Sequence, residues 1–225
     1  MLDSIAADTP DTVWCLGDLV GYGPRPNRCC ALVAERADLC LIGNHDLGVL
    51  GRLDLAEFSH DAAESARWTQ KVLEPEARAY LETLEPVADR GEVGLYHASP
   101  RDPVWEYVLS GPSALAAFAA ADARLLLVGH SHVALSFSLG EDHLAGGLAP
   151  EGTELDLRTA ERWLLNPGSV GQPRDGDARA AYLMLDLEAR RARFRRVLYP
   201  VERTQAEIRE RHLPEALAER LEHGV

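Results

Sequence analysis

Positive charge is what this chain has least of. Lysine is nearly absent, Asp and Glu number 36 against 23 Lys and Arg, and the formal net charge is −13. Nucleic-acid backbones are bound by clustered Lys and Arg, so an extended nucleic-acid surface is excluded. The arginines are scattered except in Arg190-Arg191-Ala192-Arg193-Phe194-Arg195-Arg196. That stretch alternates too irregularly for a clean amphipathic strand and reads as a solvated face. Cysteine is scarce as well. Cys15, Cys29, Cys30 and Cys40 lack the paired spacing of a zinc site, and two of them sit in apolar runs, so they read as reduced, buried small hydrophobes. Long hydrophobic runs are missing too: no stretch approaches the ~20 apolar residues of a membrane-spanning helix, and no basic segment leads into an apolar one at the start. Free cysteines and the lack of a membrane segment together lead us to expect a soluble, cytoplasmic protein. Internal repeats and low-complexity linkers are also absent.

What is present is apolar sequence in short pieces. With 225 residues and 46% apolar composition, the chain is long enough for one sizeable α/β core. We expect a single domain over residues 1–225, with 200–225 as a C-terminal helical extension packed on it. The organising stretch is Cys15-Leu16-Gly17-Asp18-Leu19-Val20-Gly21-Tyr22-Gly23-Pro24, an apolar run that meets a carboxylate and breaks into a glycine-rich turn. An isolated Asp there ordinarily serves to cap the turn. Two similar strand ends change that reading. Asp38 to Ile42 runs into Gly43-Asn44-His45-Asp46, and Arg124 to Val128 runs into Gly129-His130-Ser131-His132. Open α/β sheets gather ligands at the C-terminal ends of their strands, so one shared site is the economical reading.

In chain order, Met1–Asp8 has the spacing of a helix, followed by a strand at 12–16, a helix over 26–37 and a strand at 38–42. Residues 53–84 predict two helices divided at Pro75, with Trp68, Val72, Tyr80, Leu81 and Leu84 as packing positions. A short strand at 92–96 leads to His97, and an alanine-rich helix over 112–121 leads to the strand at 125. After His132 come short period-two runs at 133–139, 162–165, 181–187 and 193–198, which predict a second, largely antiparallel sheet. Between two of them Asn166-Pro167-Gly168-Ser169-Val170-Gly171 is a loop able to turn backbone N–H groups toward an anion. Two short helices close the chain.

The candidate ligands are therefore Asp18, Asn44, His45, His97, His130 and His132, with Asp46 beside them. Mixed imidazole and oxygen donors suit Mn, Fe, Zn or Co. His97 taken singly is an ordinary turn residue, and it gains weight from the company of the other blocks. His60, His143, His212 and His223 lack a strand-end setting and read as surface residues.

Together, Gly17-Asp18-Leu19-Val20-Gly21, Gly43-Asn44-His45-Asp46, His97-Ala98-Ser99-Pro100 and Gly129-His130-Ser131-His132 resemble four ordered signature blocks of the calcineurin-like metallophosphoesterases. The resemblance implies a four-layer α-β-β-α sandwich of two mixed sheets and a site for two divalent transition metals, Mn favoured. By the same resemblance Asp18 would bridge the ions, Asn44, His97 and His130 would complete the second position, and His132 would serve the first. His45 would act on the leaving oxygen, with Asp46 holding its ring. The implied reaction is hydrolysis of a small phosphodiester or phosphomonoester by metal-activated water, on a small phosphorylated substrate, a nucleotide among the candidates.

Two departures from the family pattern stand out. The opening strand that ends in Asp-x-His has no counterpart before Asp18, so the first strand of the fold and part of the first metal position are missing from the sequence as it stands. The expectation is an in-frame apolar strand and Asp-x-His encoded upstream of Met1. The alternative is a shortened, catalytically impaired relative that holds one metal or a phosphorylated ligand. The second departure is Gly21-Tyr22 and Asp46, where Ser/Thr protein phosphatases and the dinucleoside tetraphosphatases resembling them carry an arginine and a glutamate. This places the chain nearer the small bacterial and archaeal phosphodiesterase-like members. Arg25 and Arg174 are candidates for a phosphate contact.

Overall fold

Leu125–Val128 shows how this sequence builds its core. Leu125 and Leu127 pack on one side of the strand and Leu126 and Val128 on the other, each among different neighbours. A strand covered on both faces reads as an unbroken apolar run, and that is how it is written in the chain. The computed structural model describes residues 1–141 and 143–225. In order, the elements are α1 (Leu2–Ala7), β1 (Trp14–Cys15), α2 (Pro26–Arg36), β2 (Leu39–Cys40), α3 (Asn44–Leu50), α4 (His60–Val72), α5 (Pro75–Glu82), β3 (Val87–Arg90) and β4 (Val93–Tyr96). There follow α6 (Gly111–Ala120), β5 (Leu125–Val128), β6 (Ala134–Leu139), β7 (Leu144–Leu148), β8 (Glu154–Asp156), β9 (Arg162–Pro167), β10 (Ala180–Asp186), β11 (Arg191–Val197), α7 (Val201–Glu210) and α8 (Glu215–His223).

One sheet has six strands in the order β3-β4-β5-β9-β6-β7. Its centre, β4-β5-β9, is parallel, while β3, β6 and β7 pair antiparallel. Facing it are the parallel pair β1-β2 and the antiparallel triple β10-β11-β8. The space between is filled by Leu39, Leu41, Leu95, Leu127, Leu165 and Phe194, with Trp14, Leu16, Leu183 and Leu185 against them. Outside the six-stranded sheet, Ala114, Ala117 and Phe118 of α6 cover Leu126, Val128 and Leu164. On the opposite outer face Cys30, Val49, Ala66 and Leu81 from α2, α3, α4 and α5 gather over Ile42. The result is helix, sheet, sheet, helix. Helices α7 and α8 pack together through Ile208, Leu217 and Leu221, with Tyr22 and Trp68 against them.

Several local expectations change. β6 and β9 do not join a second sheet; they extend the one that holds β4 and β5, because β9 runs parallel beside β5 and leaves its other edge for β6. Strands β3, β7 and β8 carry too few apolar residues to show as runs. The run expected at 193–198 forms as strand β11, and the arginine stretch on it is solvated on one face only: Arg191 and Arg193 are exposed while Ala192, Phe194 and Arg196 are buried. Arg196 turns inward because it ion-pairs with the equally buried Asp175 and donates to the Asp177 and Arg179 carbonyls. Cys29 and Val72 are exposed rather than packed. His60, His143, His212 and His223 are all exposed. Among the described residues no helix is long and apolar enough to cross a membrane.

Candidate metal centre

Four chain segments end above the same edge of the sandwich: the turns after β1, β4 and β5, and the start of α3. They converge closely enough that an oxygen of Asp18 and ring nitrogens of His97 and His130 lie within 4.8 Å of one another. Glycine makes this approach possible. A Cβ on Gly43 would fall 2.0 Å from Asp18 Oδ1, and one on Gly17, whose φ is +95°, would fall 2.8 Å from His97 Nδ1. Asp18, His130 and His132 themselves sit at φ of 56°, 58° and 59°. Such left-handed backbone costs a non-glycine residue about 1–3 kcal/mol and persists where the surroundings impose it. Three of the anticipated ligands carry it.

Hydrogen bonds fix which nitrogen each imidazole offers. His97 Nδ1 lies 2.7 Å from the Leu16 carbonyl; a carbonyl only accepts, so Nδ1 holds the proton and Nε2 presents its lone pair. That Nε2 is 3.3 Å from Asn44 Oδ1 and 3.5 Å from Asp18 Oδ2. His132 Nδ1 donates to the Gln172 carbonyl at 2.8 Å, leaving Nε2 4.0 Å from Asp18 Oδ2. His130 uses the opposite nitrogen, donating from Nε2 to the Trp105 carbonyl at 3.2 Å. Among the described residues its Nδ1 is buried with no hydrogen-bond partner, and Asp18 Oδ2 and His45 Nδ1 share that condition. Buried polar atoms are rarely left unpaired, and two of these three belong to candidate metal ligands, Asp18 and His130. The donor set therefore fits a divalent cation. Asp18, His97 and His130 are the group close enough to share one ion, and Asn44 Oδ1 and His132 Nε2 stand beside them.

Burial drives the charge states. It pushes the His45 and His130 imidazoles down to about 4. Burial also works against the Asp18 carboxylate, but the neighbouring His97, His45 and His132 outweigh it and hold Asp18 well below the usual carboxylate range. A carboxylate held negative beside the His45 and His130 rings, which burial disfavours from taking a proton, is a site prepared for cations.

Asp46 does something other than hold the His45 ring. From the first turn of α3 its carboxylate points back at the helix N-terminus, where Oδ2 accepts from Gly43 N–H and Asp18 N–H, both at 2.9 Å, and Oδ1 accepts from Val20 N–H at 3.0 Å. It thus ties the Asp18 turn to the start of α3. His45 instead lies against Tyr22, ring centroids 4.0 Å apart, with Phe58 at 5.2 Å on its edge. Of the two candidate arginines, Arg174 reaches this region, donating to Tyr22 OH at 3.0 Å and to Gln172, whereas Arg25 is occupied by a bidentate pairing with Glu207.

Sequence reasoning missed the braces. The Asn166 side chain donates to the Gly129 carbonyl at 2.7 Å and to Ser131 Oγ at 2.9 Å, and accepts from Gly168 N–H. The Asn-Pro-Gly loop therefore spends its polar groups on the His130–His132 turn. Gln172 and Trp105 act through backbone carbonyls, for which residue type carries no signal.

An α-β-β-α sandwich with imidazole, amide and carboxylate donors at its strand ends defines a metal-dependent hydrolase architecture. The profile of the calcineurin-like phosphoesterase superfamily domain matches residues 1–190, and the chain belongs to that superfamily. An uncharacterised protein of Methanocaldococcus jannaschii is 37% identical over 215 residues, 93% of this chain and 85% of that protein. A symmetrical bis(5'-nucleosyl)-tetraphosphatase of Vibrio cholerae is 33% identical over 102 residues, 43% of this chain and 36% of the enzyme. Among solved structures, a metallophosphoesterase from Sphaerobacter thermophilus superposes with a TM-score of 0.87 at 42% identity, covering 100% of this chain and 93% of that one. A hypothetical protein from Pyrococcus horikoshii, at 19% identity, shares the fold with a TM-score of 0.75.

Proposed function

We propose that the protein hydrolyses a small phosphodiester or phosphomonoester in a metal-dependent reaction. The observation that carries this is the convergence of an Asp18 carboxylate oxygen with ring nitrogens of His97 and His130, Asp18 Oδ2 and His130 Nδ1 being buried without a hydrogen-bond partner among the described residues. Asp18, Asn44, His97, His130 and His132 would hold divalent ions, Mn favoured among Mn, Fe, Zn and Co. When bound, such ions activate a water and neutralise charge developing at phosphorus.

The chain's own residues supply the rest. The carbonyls of Leu16, Gln172 and Trp105 lock the three imidazoles so that their lone pairs face inward. His45 is positioned for the leaving oxygen. Burial disfavours a proton on its ring, and the negative charge of a phosphate beside it raises its affinity for one, which suits it to donate as the ester P–O bond breaks.

The test is hydrolysis of bis-p-nitrophenyl phosphate and p-nitrophenyl phosphate by protein stripped with EDTA and reloaded with each divalent ion in turn. Activity restored by Mn²⁺ and abolished again by chelation is the expected result. Metal binding with no turnover of any phosphoester would instead support a catalytically impaired relative that only binds.

A further inference from the structure

The lip of the metal centre is aromatic. Tyr107 lies flat on His130, ring centroids 4.2 Å apart and planes 17° from parallel, yet it remains 47% exposed. Its exposure is not that of a loose loop. Ser99 Oγ accepts from the Arg101 and Asp102 N–H groups, and Asp102 Oδ1 accepts from the Val104 and Trp105 N–H groups. The Trp105 carbonyl is held by His130, and Val108 is buried in the α6 cluster. The segment on either side of Tyr107 is pinned, so the ring is presented to solvent by its anchors.

Tyr22 flanks the same centre: it leans on His45, stands edge-on to His132 with ring centroids 6.2 Å apart, and its hydroxyl accepts from Arg174. Behind them Phe58 and Trp105 meet edge to face at 5.1 Å. A chain with a net charge of −13 thus borders its site with π-faces and one guanidinium. Other exposed apolar residues, such as Leu148 and Leu198, are branched and stand on strand or loop surfaces. Tyr107 alone among these three offers a fixed planar face, and it stands directly over a candidate metal ligand.

We propose that Tyr107, on its seat over His130, is the stacking platform for the base of a nucleotide whose phosphate reaches the metal centre. This rests on the phosphoesterase reading and names its substrate class. A rigid aromatic face binds any base at little entropic cost, since the ring is already ordered.

The test compares dissociation constants of adenosine 5'-monophosphate and ribose 5-phosphate, by isothermal titration of the Mn²⁺-loaded protein and of Tyr107→Phe, Tyr107→Leu and Tyr107→Ala. Base stacking is expected to favour the nucleotide by about 5- to 150-fold in the wild type. Phe should keep that ratio, and Leu and Ala should bring it near one. If Ala fails to fold, Leu decides, because it retains apolar bulk without a flat face. A wild-type ratio near one, or a ratio unchanged in the Leu variant, overturns the platform. The underlying reading is judged separately: a wild-type preference for the nucleotide that Tyr107→Leu abolishes, in a protein that cleaves no phosphoester with any divalent ion, leaves the platform standing and sinks the enzyme, whereas phosphoester cleavage with a wild-type ratio near one does the reverse.

Discussion

His97 and His45 are buried imidazoles with different surroundings, and the difference sorts their roles. His97 gives its proton to a backbone carbonyl and turns Nε2 toward Asp18, so His97→Ala should remove bound metal and activity together. His45 leaves Nδ1 unpaired and rests on Tyr22. His45→Ala should lower kcat by about 10²–10⁴, the range of a positioned acid, with metal content by mass spectrometry largely retained; parallel loss of both would assign His45 to the metal instead. The metal-free protein should also respond to acid. Burial holds His45 and His130 near 4 in the folded state against an ordinary value of 6.5, so between those values the unfolded chain binds more protons. Stability therefore falls as pH drops from about 6.5 to about 4, seen as a decreasing urea midpoint of EDTA-treated protein, and a flat midpoint would contradict the burial of these rings. The identities of these residues were legible in the sequence because metal chemistry admits few side-chain types at strand ends. Asp46 was legible as a site residue but not in its role, which depends on where the N–H groups of Asp18 and Val20 point after folding.

Among the elements, the turn after β1 and the start of α3 are joined by one carboxylate. Asp46→Ala leaves three N–H groups without their acceptor, at about 1–3 kcal/mol for each that stays buried and unpaired. A lower urea midpoint together with weaker metal affinity is the expected outcome, since the Asp18 turn loses its tether to α3. An unchanged midpoint would show that water replaces the carboxylate. At this scale the sequence spoke unevenly. Helix α2 and strand β5 announced themselves through Pro26 and through the run Leu125–Val128. Strand β11 showed in its run at 193–198, but the inward turn of Arg196 did not, because a buried arginine occupies a position where pattern reading expects an apolar residue. The pairing of β9 with β5 was equally hidden, being a relation between segments whose local patterns are alike.

Across the whole molecule, the buried Arg196–Asp175 pair connects the two β layers. Asp175 also accepts from Ala134 N–H at the start of β6, just past His132, while Arg196 belongs to β11 in the opposite layer. Asp175→Asn strands a buried guanidinium, and the expected cost is about 3–5 kcal/mol in chemical denaturation; a loss under 1 kcal/mol would mean the guanidinium reaches water. The sandwich as a class was readable from alternating apolar runs and helices, and the way its facing layer divides into β1-β2 and β10-β11-β8 was not. What the architecture accomplishes is to bring four distant segments to one cation site, and that is the claim on which the rest depends. The direct measurement is Mn²⁺ titration of EDTA-stripped protein followed by electron paramagnetic resonance, for the wild type and for His130→Ala. The expected result is at least one tightly held equivalent in the wild type, lost or greatly weakened in the variant. A wild-type protein that leaves Mn²⁺ free in solution, or a His130→Ala variant that binds it equally well, would contradict the account.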